Sequence, residues 1–251
     1  MFTEFLVALQ FLTIVRIKSP LPFNDTLLGR AGAFFPLVGL LLGVVVWSLD
    51  WALRQILPPA LLSIVLVTVL VLISRGLHLD GLADSVDGLL GSTERHRSFE
   101  IMKDSAIGTF GTLAIIMVLF LKVRSLDLLQ GGYRGIALLT GPMLGRWACV
   151  VMAYSSRPAR AEGLGASFVR GVQFREFGLA SAFALAVVFL LVEVIGLVVF
   201  VVLAGVILSW ILYCNRRLGG VTGDTLGALG EMVETGALCL FAVLETAMTR
   251  Y

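Results

Sequence analysis

The sequence predicts an all-α, polytopic integral membrane protein with about seven transmembrane helices and an N-terminal re-entrant or interfacial helix. Two observations lead to this prediction. Hydrophobic residues make up 58% of the 251-residue chain and charged residues only 14%, with a mean hydropathy of +0.97, whereas soluble domains carry about 25% charged residues. The apolar residues also form runs long enough to cross a ~30 Å hydrocarbon core, which takes about 20 helical residues.

The individual spans follow from those runs. Residues 2–15 are apolar but too short to cross comfortably, so they predict the re-entrant or interfacial helix. The region 177–213 is long enough for two helices, with a tight turn near 193–196. The run at 235–248 is marginal in length. The other predicted spans are 31–53, 58–74, 107–122 and 135–154. With no internal repeat, low-complexity tract or linker, residues 1–251 are interpreted as one domain.

Lys and Arg residues predict the orientation, because cytoplasmic loops keep the positive charge. With the N-terminus inside, thirteen of them fall in inside segments and five in outside segments. The inside residues are Arg16, Lys18, Arg30, Arg75, Arg95, Arg97, Lys103, Arg157, Arg160, Arg170, Arg175, Arg216 and Arg217. The outside residues are Arg54, Lys122, Arg124, Arg134 and Arg250. Segments 75–105, 155–176 and 214–235 then share the cytoplasmic face, and most carboxylates lie there.

Composition also excludes some functions. A net charge of +2 is too small for a polyanion-binding protein, so nucleic acid is not an expected partner. Cys149, Cys214 and Cys239 show neither pairing nor metal-ligand spacing, and no disulfide framework is expected. The N-terminus lacks a basic region and a small-residue cleavage site, so a cleaved signal peptide is not expected.

The segment 77–91 is the first candidate for chemistry. If it is helical, Asp80, Asp84 and Asp87 stand at i, i+4 and i+7 and share a ~60° stripe, with leucines on the other side. Mg²⁺ prefers oxygen ligands and shares its coordination shell with substrate phosphates. The three aspartates are therefore predicted metal ligands; the alternative is a solvated polar face of a cytoplasmic helix.

The two histidines of the chain, one inside this segment and one after it, have different predicted roles. His78 directly precedes the aspartates and is a candidate hydrogen-bond donor or acid/base near a phosphate, although a packing role is the alternative. Imidazole suits softer metals than Mg²⁺, so His78 is not a predicted metal ligand. His96 is predicted to be simply solvated.

A second cluster precedes the span at 107–122. Lys103 carries a positive charge suited to phosphate, close to the N-terminus of a predicted helix, which favours anions. Asp104 and Ser105 are candidates for the catalytic and substrate sites, and their alternative role is to cap that helix.

A third cluster contains Thr222, Asp224 and Glu231, with Glu234 beyond, in a glycine-rich segment. The glycines predict either close helix packing or room for a phosphate. Arg146 lies inside a span and is predicted to reach this anionic cluster or to bind a substrate phosphate.

These residue types suit phosphoryl transfer, in which positioning and charge stabilisation supply most of the catalysis. The sequence contains no P-loop, no nucleophile elbow and no HExxH pair. A metal-assisted transferase acting on a diphosphate therefore fits better than an ATP-driven pump.

The ordered motifs resemble the cobalamin synthase family, membrane enzymes also called adenosylcobinamide-GDP ribazoletransferases. The resemblance spans nearly the whole chain. Its anchors are Phe11-Leu12-Thr13, Phe35-Pro36-Leu37-Val38-Gly39, residues 77–84 with Asp87-Gly88, Met102-Lys103-Asp104-Ser105 with Gly108-Thr109, Glu162-Gly163-Leu164-Gly165, and residues 219–225.

The resemblance implies attack of α-ribazole, or of its 5′-phosphate, on adenosylcobinamide-GDP with release of GMP. It implies Mg²⁺ as cofactor, a bacterial inner membrane location and a cytoplasmic active site. The assigned metal ligands are Asp80, Asp84 and Asp87. The assigned catalytic residues are His78, Lys103, Asp104 and Asp224. The assigned substrate-binding residues are Arg30, Ser105, Arg146, Thr222 and Glu231.

Three alternatives stay open at this point. A DxxxD pair is also found in intramembrane prenyltransferases, and spaced aspartates occur in CDP-alcohol phosphotransferases, although their D-x-x-D-G-x-x-A-R motif is missing here. A cation or corrinoid transporter would show acidic residues in mid-span or inverted repeats. Assembly into a homo-oligomer is left open.

Overall fold

The structure is a computed structural model that describes residues 1–17 and 25–249. Its helices are α1 (Phe2–Leu12), α2 (Asp25–Ala31), α3 (Phe35–Leu53), α4 (Pro59–Ile73), α5 (Leu77–Gly91), α6 (Arg95–Ile101), α7 (Thr109–Leu128), α8 (Tyr133–Tyr154), α9 (Leu164–Gly171), α10 (Phe174–Leu218) and α11 (Gly223–Thr249). A 3₁₀ turn, Gly32–Phe34, joins α2 to α3. The all-α prediction is confirmed. Lys18 and Arg250, used to predict orientation, lie outside the described residues.

Five stretches of the described chain are helical, long and apolar enough to cross a membrane: Thr26–Leu53, α7, α8, α10 and Gly223–Met248 in α11. Helices α4 and α5 pass the same test only as a pair, and they are bent by 87° at the break between them. The protein is therefore a multi-pass membrane protein. The number of about seven spans stays a prediction, as does the re-entrant or interfacial placement of α1.

Helix α10 is broken at Glu193, whose backbone is non-helical (φ 51°, ψ −136°). Trp147 on α8 contacts both sides of the break: its indole N–H donates to Ser181 Oγ at 3.1 Å, and its ring lies 4.3 Å from that of Phe200. In a continuous helix Ser181 and Phe200 would be roughly 28 Å apart. The segment therefore folds back on itself, which confirms the predicted pair of helices with a turn near 193–196.

The bend between α4 and α5 is made by two residues with left-handed backbone conformations, Arg75 (φ 59°) and Gly76 (φ 63°). Only glycine adopts this region without steric cost, so Arg75 is held there by its surroundings. The bend directs α5 away from the line of α4 and against α7 and α11.

Helix α8 forms the centre of the bundle and lies against α3, α10 and α11. Its side chains Met143, Leu144 and Met152 are fully buried. The outer helices instead expose large apolar side chains such as Phe120 and Leu190. Such a surface is unfavourable in water and suits contact with lipid.

Candidate active site

A cavity of about 320 Å³ lies where α1, α3, α5, α8, α9 and α11 meet. One part of its wall is polar and is formed by residues of α5, the loop before α9 and the start of α11. These polar residues are His78, Asp80, Arg160, Glu162, Thr222 and Asp224. The rest of the wall is largely apolar and includes three phenylalanines, Phe11, Phe35 and Phe168.

Helices α5 and α11 cross closely enough to bring their acidic residues into this one cavity. A Cβ atom on Gly81 would lie 2.7 Å from the carbonyl oxygen of Asp224, so only glycine permits this approach. Asp80, next to Gly81, acts electrostatically on Asp224. Close packing of the glycine-rich segment was one of the two roles predicted for it, and this contact confirms that role.

The first turns of α9 and α11 also line the cavity. They touch at Gly165, where a Cβ atom would lie 2.5 Å from the Cα of Gly223. The loop before α9 is tied to the start of α11 by the bonds Ala159 N–H to Val221 O (2.8 Å) and Val221 N–H to Arg157 O (2.9 Å). Thr222 Oγ1 caps α11 by accepting from Thr225 N–H at 3.2 Å, whereas no side chain caps α9. Two helix N-termini thus converge on one cavity, an arrangement that favours anions.

Arg160 supplies a positive charge at the same place. Its Nη1 lies 3.5 Å from Asp224 Oδ2, and its guanidinium lies over the Phe99 ring at 5.1 Å. Sequence reasoning had counted Arg160 only among the cytoplasmic charges. Its position just before the Glu162-Gly163-Leu164-Gly165 motif was the signal that could have identified it.

The Asp87 carboxylate bonds to backbone N–H groups, whereas the sequence predicted that it binds a metal ion. Its carboxylate accepts hydrogen bonds from Gly108 N–H at 2.7 Å and Gly111 N–H at 2.8 Å, at the start of α7. Capping of this helix was the alternative role of Asp104 and Ser105, and it is not observed: Asp104 accepts from Ala106 N–H of its own turn (3.0 Å), and the N-cap residue of α7 is Gly108. A buried aspartate on another helix caps α7 instead.

The predicted metal ligands are therefore not equivalent. Asp84 is half-buried and interacts electrostatically with Asp80, Asp224 and Asp87. Among residues 1–17 and 25–249, no three His, Cys, Asp or Glu side chains form a group that could hold a metal ion. Asp80 and Asp224 offer the hard oxygens that Mg²⁺ prefers, whereas Asp87 is engaged by α7. The metal assignment stays a prediction.

Four charged side chains form a second group inside the bundle, here called the ionic cluster: Lys122, Arg146, Glu231 and Glu234. Lys122 Nζ lies 2.5 Å from Glu231 Oε2 and 2.5 Å from Glu234 Oε1, and Arg146 pairs with the other oxygen of Glu234. All four side chains are at most 5% exposed. The cluster contains two positive and two negative charges and is neutral when all four are ionised.

The ionic cluster corrects several predictions. Lys122 was assigned to an outside segment, and Glu231 and Glu234 to a cytoplasmic segment ending at 235. Helix α11 begins already at Gly223 and carries both glutamates into the bundle. Arg146 and Glu231 do not line the cavity, which gives no support to their assignment to substrate binding. Pairing of Arg146 with the acidic third cluster was one of the predicted alternatives, and it is confirmed.

His78 lies between the cavity and the ionic cluster. It is 5% exposed, lines the cavity, and interacts electrostatically with Arg146, Glu234 and Lys122. Its Nδ1 is buried and has no hydrogen-bond partner in the described part of the chain. A buried imidazole nitrogen without a partner is costly, so His78 carries an unfavourable feature at the base of the cavity.

The remaining predicted residues lie elsewhere. Lys103, Asp104 and Ser105 are exposed in the segment between α6 and α7, and Arg30 is exposed on α2. None of them lines the cavity. Thr222 does line it, and its hydroxyl lies 3.3 Å from Asp224 Oδ2. His96 is 90% exposed, as predicted.

Comparison with known proteins identifies the family. Residues 4–242 match the family model described as cobalamin-5-phosphate synthase. The chain belongs to this family. The cobalamin-5-phosphate synthase match covers all the cavity-lining residues and the whole ionic cluster, so both features lie within the family region.

Curated relatives agree over nearly the full length. The chain is 39% identical over 248 residues to an adenosylcobinamide-GDP ribazoletransferase of Syntrophobacter fumaroxidans, covering 96% of this chain and 100% of the relative. It is 33% identical to one of Clostridium tetani (96% of both chains). It is 39% identical to one of Pseudomonas fluorescens (92% of this chain and 96% of the relative). No solved structure gives a significant match.

Proposed function

We propose that this protein is an adenosylcobinamide-GDP ribazoletransferase, which joins the nucleotide loop in cobalamin biosynthesis. It transfers the cobinamide-phosphate group of adenosylcobinamide-GDP to α-ribazole, or to its 5′-phosphate, and releases GMP. The observation that carries this proposal is the cavity in which Asp80 and Asp224 lie beside Arg160 and two helix N-termini. The near-full-length likeness to relatives of that name supports it.

The attacking group is the ribose 3′-hydroxyl of the acceptor. Its oxygen forms a bond to the phosphorus that carries cobinamide, the anhydride P–O bond breaks, and GMP leaves with the bonding electrons. The hydroxyl proton passes to a carboxylate of the cavity, Asp80 or Asp224. A positioned general base of this kind contributes typically ~10²–10⁴-fold in rate.

The departing phosphate gains negative charge as the anhydride breaks. Arg160 and the first turns of α9 and α11 line the same cavity, and preorganised charges and helix N-termini stabilise developing negative charge. In this proposal they replace Lys103 and Arg146, which were assigned from the sequence to the same task. His78 also lines the cavity wall.

Magnesium fits the oxygen donors of the cavity. Asp84 and whichever of Asp80 and Asp224 is not the base would hold the ion, and when bound it would neutralise the diphosphate. We place the cavity at the cytoplasmic face of a bacterial inner membrane, because the Lys and Arg bias assigns 75–105 and 155–176 to that side. The donor and acceptor would then enter from the cytosol.

The test is to incubate the purified full-length protein with adenosylcobinamide-GDP, Mg²⁺ and either α-ribazole or its 5′-phosphate, and to measure GMP. We expect GMP and a cobalamin product with at least one acceptor. Asp80→Asn should lose most of the activity, while the matched variant Asp127→Asn, at an ion pair outside the cavity, should keep it. No GMP with either acceptor would reject the proposed function.

A further inference from the structure

We infer that the apolar part of the cavity is the subsite for the aromatic base of the nucleoside acceptor. The base stacks on Phe11, the partly exposed end of an aromatic ladder formed by Phe11, Phe35 and Phe168. This inference rests on the proposed function and adds to it. It assigns the apolar part of the cavity to the acceptor and not to the corrin ring of the donor, and it names the side chains that select the acceptor.

The aromatic ladder joins three separate helices, α1, α3 and α9. The Phe35 and Phe168 rings are nearly parallel, with centroids 4.7 Å apart and an interplanar angle of 7°. Phe11 stacks on Phe35 with centroids 5.9 Å apart and an angle of 21°. All three rings line the cavity. Phe35 and Phe168 are almost completely buried, whereas Phe11 is only partly buried.

The apolar and the polar part of the cavity wall each suit one part of a nucleoside. Flat aromatic rings provide stacking surface for a flat base, which stacks on aromatic side chains whatever its hydrogen-bonding pattern. The polar part of the wall, with Asp80, Thr222 and Asp224, provides hydrogen-bond acceptors suited to ribose hydroxyls. A base on the ladder would leave the sugar on the side of the carboxylates, where its hydroxyl must react.

Size favours the acceptor over the donor. The cavity volume of about 320 Å³ lies at the small end of the ~300–1,000 Å³ typical of pockets for drug-sized ligands. A nucleoside is a molecule of that class. A corrin macrocycle with its side chains and an attached nucleotide is several times larger, so only its diphosphate could enter this space.

His78 adds a polar ring to the cavity wall. It is 95% buried and lines the cavity together with Asp80. Its Cδ2 edge faces Gly230, where a Cβ atom would lie 3.5 Å away. Its Nδ1 atom is closed off from solvent and has no partner in the described structure.

The test is to measure the KM for the acceptor and the KM for the donor separately in variants of the aromatic ladder. Phe11→Leu and Phe168→Leu keep apolar volume but remove the ring face. We expect Phe11→Leu to raise the KM for α-ribazole by about 2- to 12-fold, the equivalent of an aromatic pair, and Phe168→Leu, at the buried end of the ladder, to raise it less. The KM for adenosylcobinamide-GDP should be unchanged in both. The matched control is Phe241→Leu, a buried ring stacked on Tyr133 outside the cavity, which should change neither value. A higher KM for the donor, or no change for the acceptor, would overturn the inference.

Equilibrium dialysis of α-ribazole alone keeps this test separate from the proposed function. The wild-type protein should bind α-ribazole at least about 5-fold more tightly than ribose, because stacking contributes about 1–3 kcal/mol per base. Equal binding of the two would reject the base subsite even if GMP is released. If the wild type releases no GMP, the transferase proposal fails, and the dialysis result still decides the subsite.

Discussion

Helix α11 carries acidic side chains in two different settings. Asp224, at its start, is 26% exposed and lies 3.5 Å from an arginine that is itself 24% exposed. Glu231 and Glu234, further along the same helix, are at most 5% exposed and lie 2.5 Å from Lys122. Asp224 is thus accessible to a substrate, while the two glutamates are closed off by protein.

This difference in exposure separates an acidic residue that could react with a substrate from acidic residues that stabilise the fold. Buried charges are tolerated when each has a partner, and removal of one partner leaves an uncompensated charge. The ionic cluster meets that condition and links α7, α8 and α11. Mid-span acids were also the sign expected of a transporter, but Glu231 and Glu234 are paired with cations and do not line the cavity.

The largest expected effect is a loss of activity on substitution of Asp224, at the exposed start of α11. Asp224→Asn removes a candidate general base and should lower the rate of GMP release by about 10²–10⁴-fold, with little change in the thermal unfolding midpoint. Steady-state rates and a thermal melt of the same preparation check both parts. A variant as active as the wild type would exclude a reacting role for Asp224.

At the buried end the expected effect is on stability. Glu234→Gln leaves Lys122 and Arg146 with one carboxylate between them, and should lower the free energy of unfolding by about 3–5 kcal/mol. Denaturant unfolding in detergent micelles measures it. The double variant Arg146→Gln with Glu234→Gln restores neutrality and should be more stable than Glu234→Gln alone. A double variant less stable than the single one would contradict the ion-pair explanation.

Asp87 gives an intermediate case, because it is buried but bonded to backbone N–H groups. Asp87→Ala should lower the free energy of unfolding by about 1.5–3 kcal/mol, as expected for lost hydrogen bonds to a charged group. Asp87→Asn keeps one acceptor oxygen and should lose less stability and less activity. Unfolding and GMP release are measured on both variants. Equal loss of activity in both, with the stability of Asp87→Asn intact, would instead support a metal-ligand role.

The smallest effect is expected at an exposed ion pair. Arg124 lies 2.9 Å from Asp127, and its side chain is 52% exposed. Arg124→Gln should change the free energy of unfolding by only about 0.2–1 kcal/mol, because surface pairs are screened by solvent. Unfolding under the conditions used for Glu234→Gln gives a direct comparison. An equal loss in the two variants would remove the distinction between buried and exposed pairs.

Much of the architecture could be predicted because it depends on local sequence. The helical segment 77–91 and the break near 193–196 follow from periodicity and from run length, and both are present. The likeness of His78, Asp80, Thr222 and Asp224 to family motifs placed them among the candidates, and all four line the cavity.

The errors concern contacts between residues distant in the sequence. Lys122 is 109 and 112 residues from its two glutamate partners, and neither composition nor spacing indicates such a pairing. Asp87 is 21 residues from Gly108, whereas a helix cap is normally sought in the residues directly before the helix. Arg160 was overlooked as a site residue because it lies in a loop whose position is set by its bridge to Val221.

The ionic cluster also constrains the biogenesis of the protein. Lys122 and Arg146 belong to α7 and α8, which are synthesised before α11 brings their carboxylates. Insertion of a lone Lys or Arg at the centre of a membrane helix costs about 2.5–3.5 kcal/mol, so α7 and α8 are each less favourable in lipid until the last helix arrives. Chains truncated before α11 therefore lack the countercharges that make the earlier helices acceptable to the bilayer.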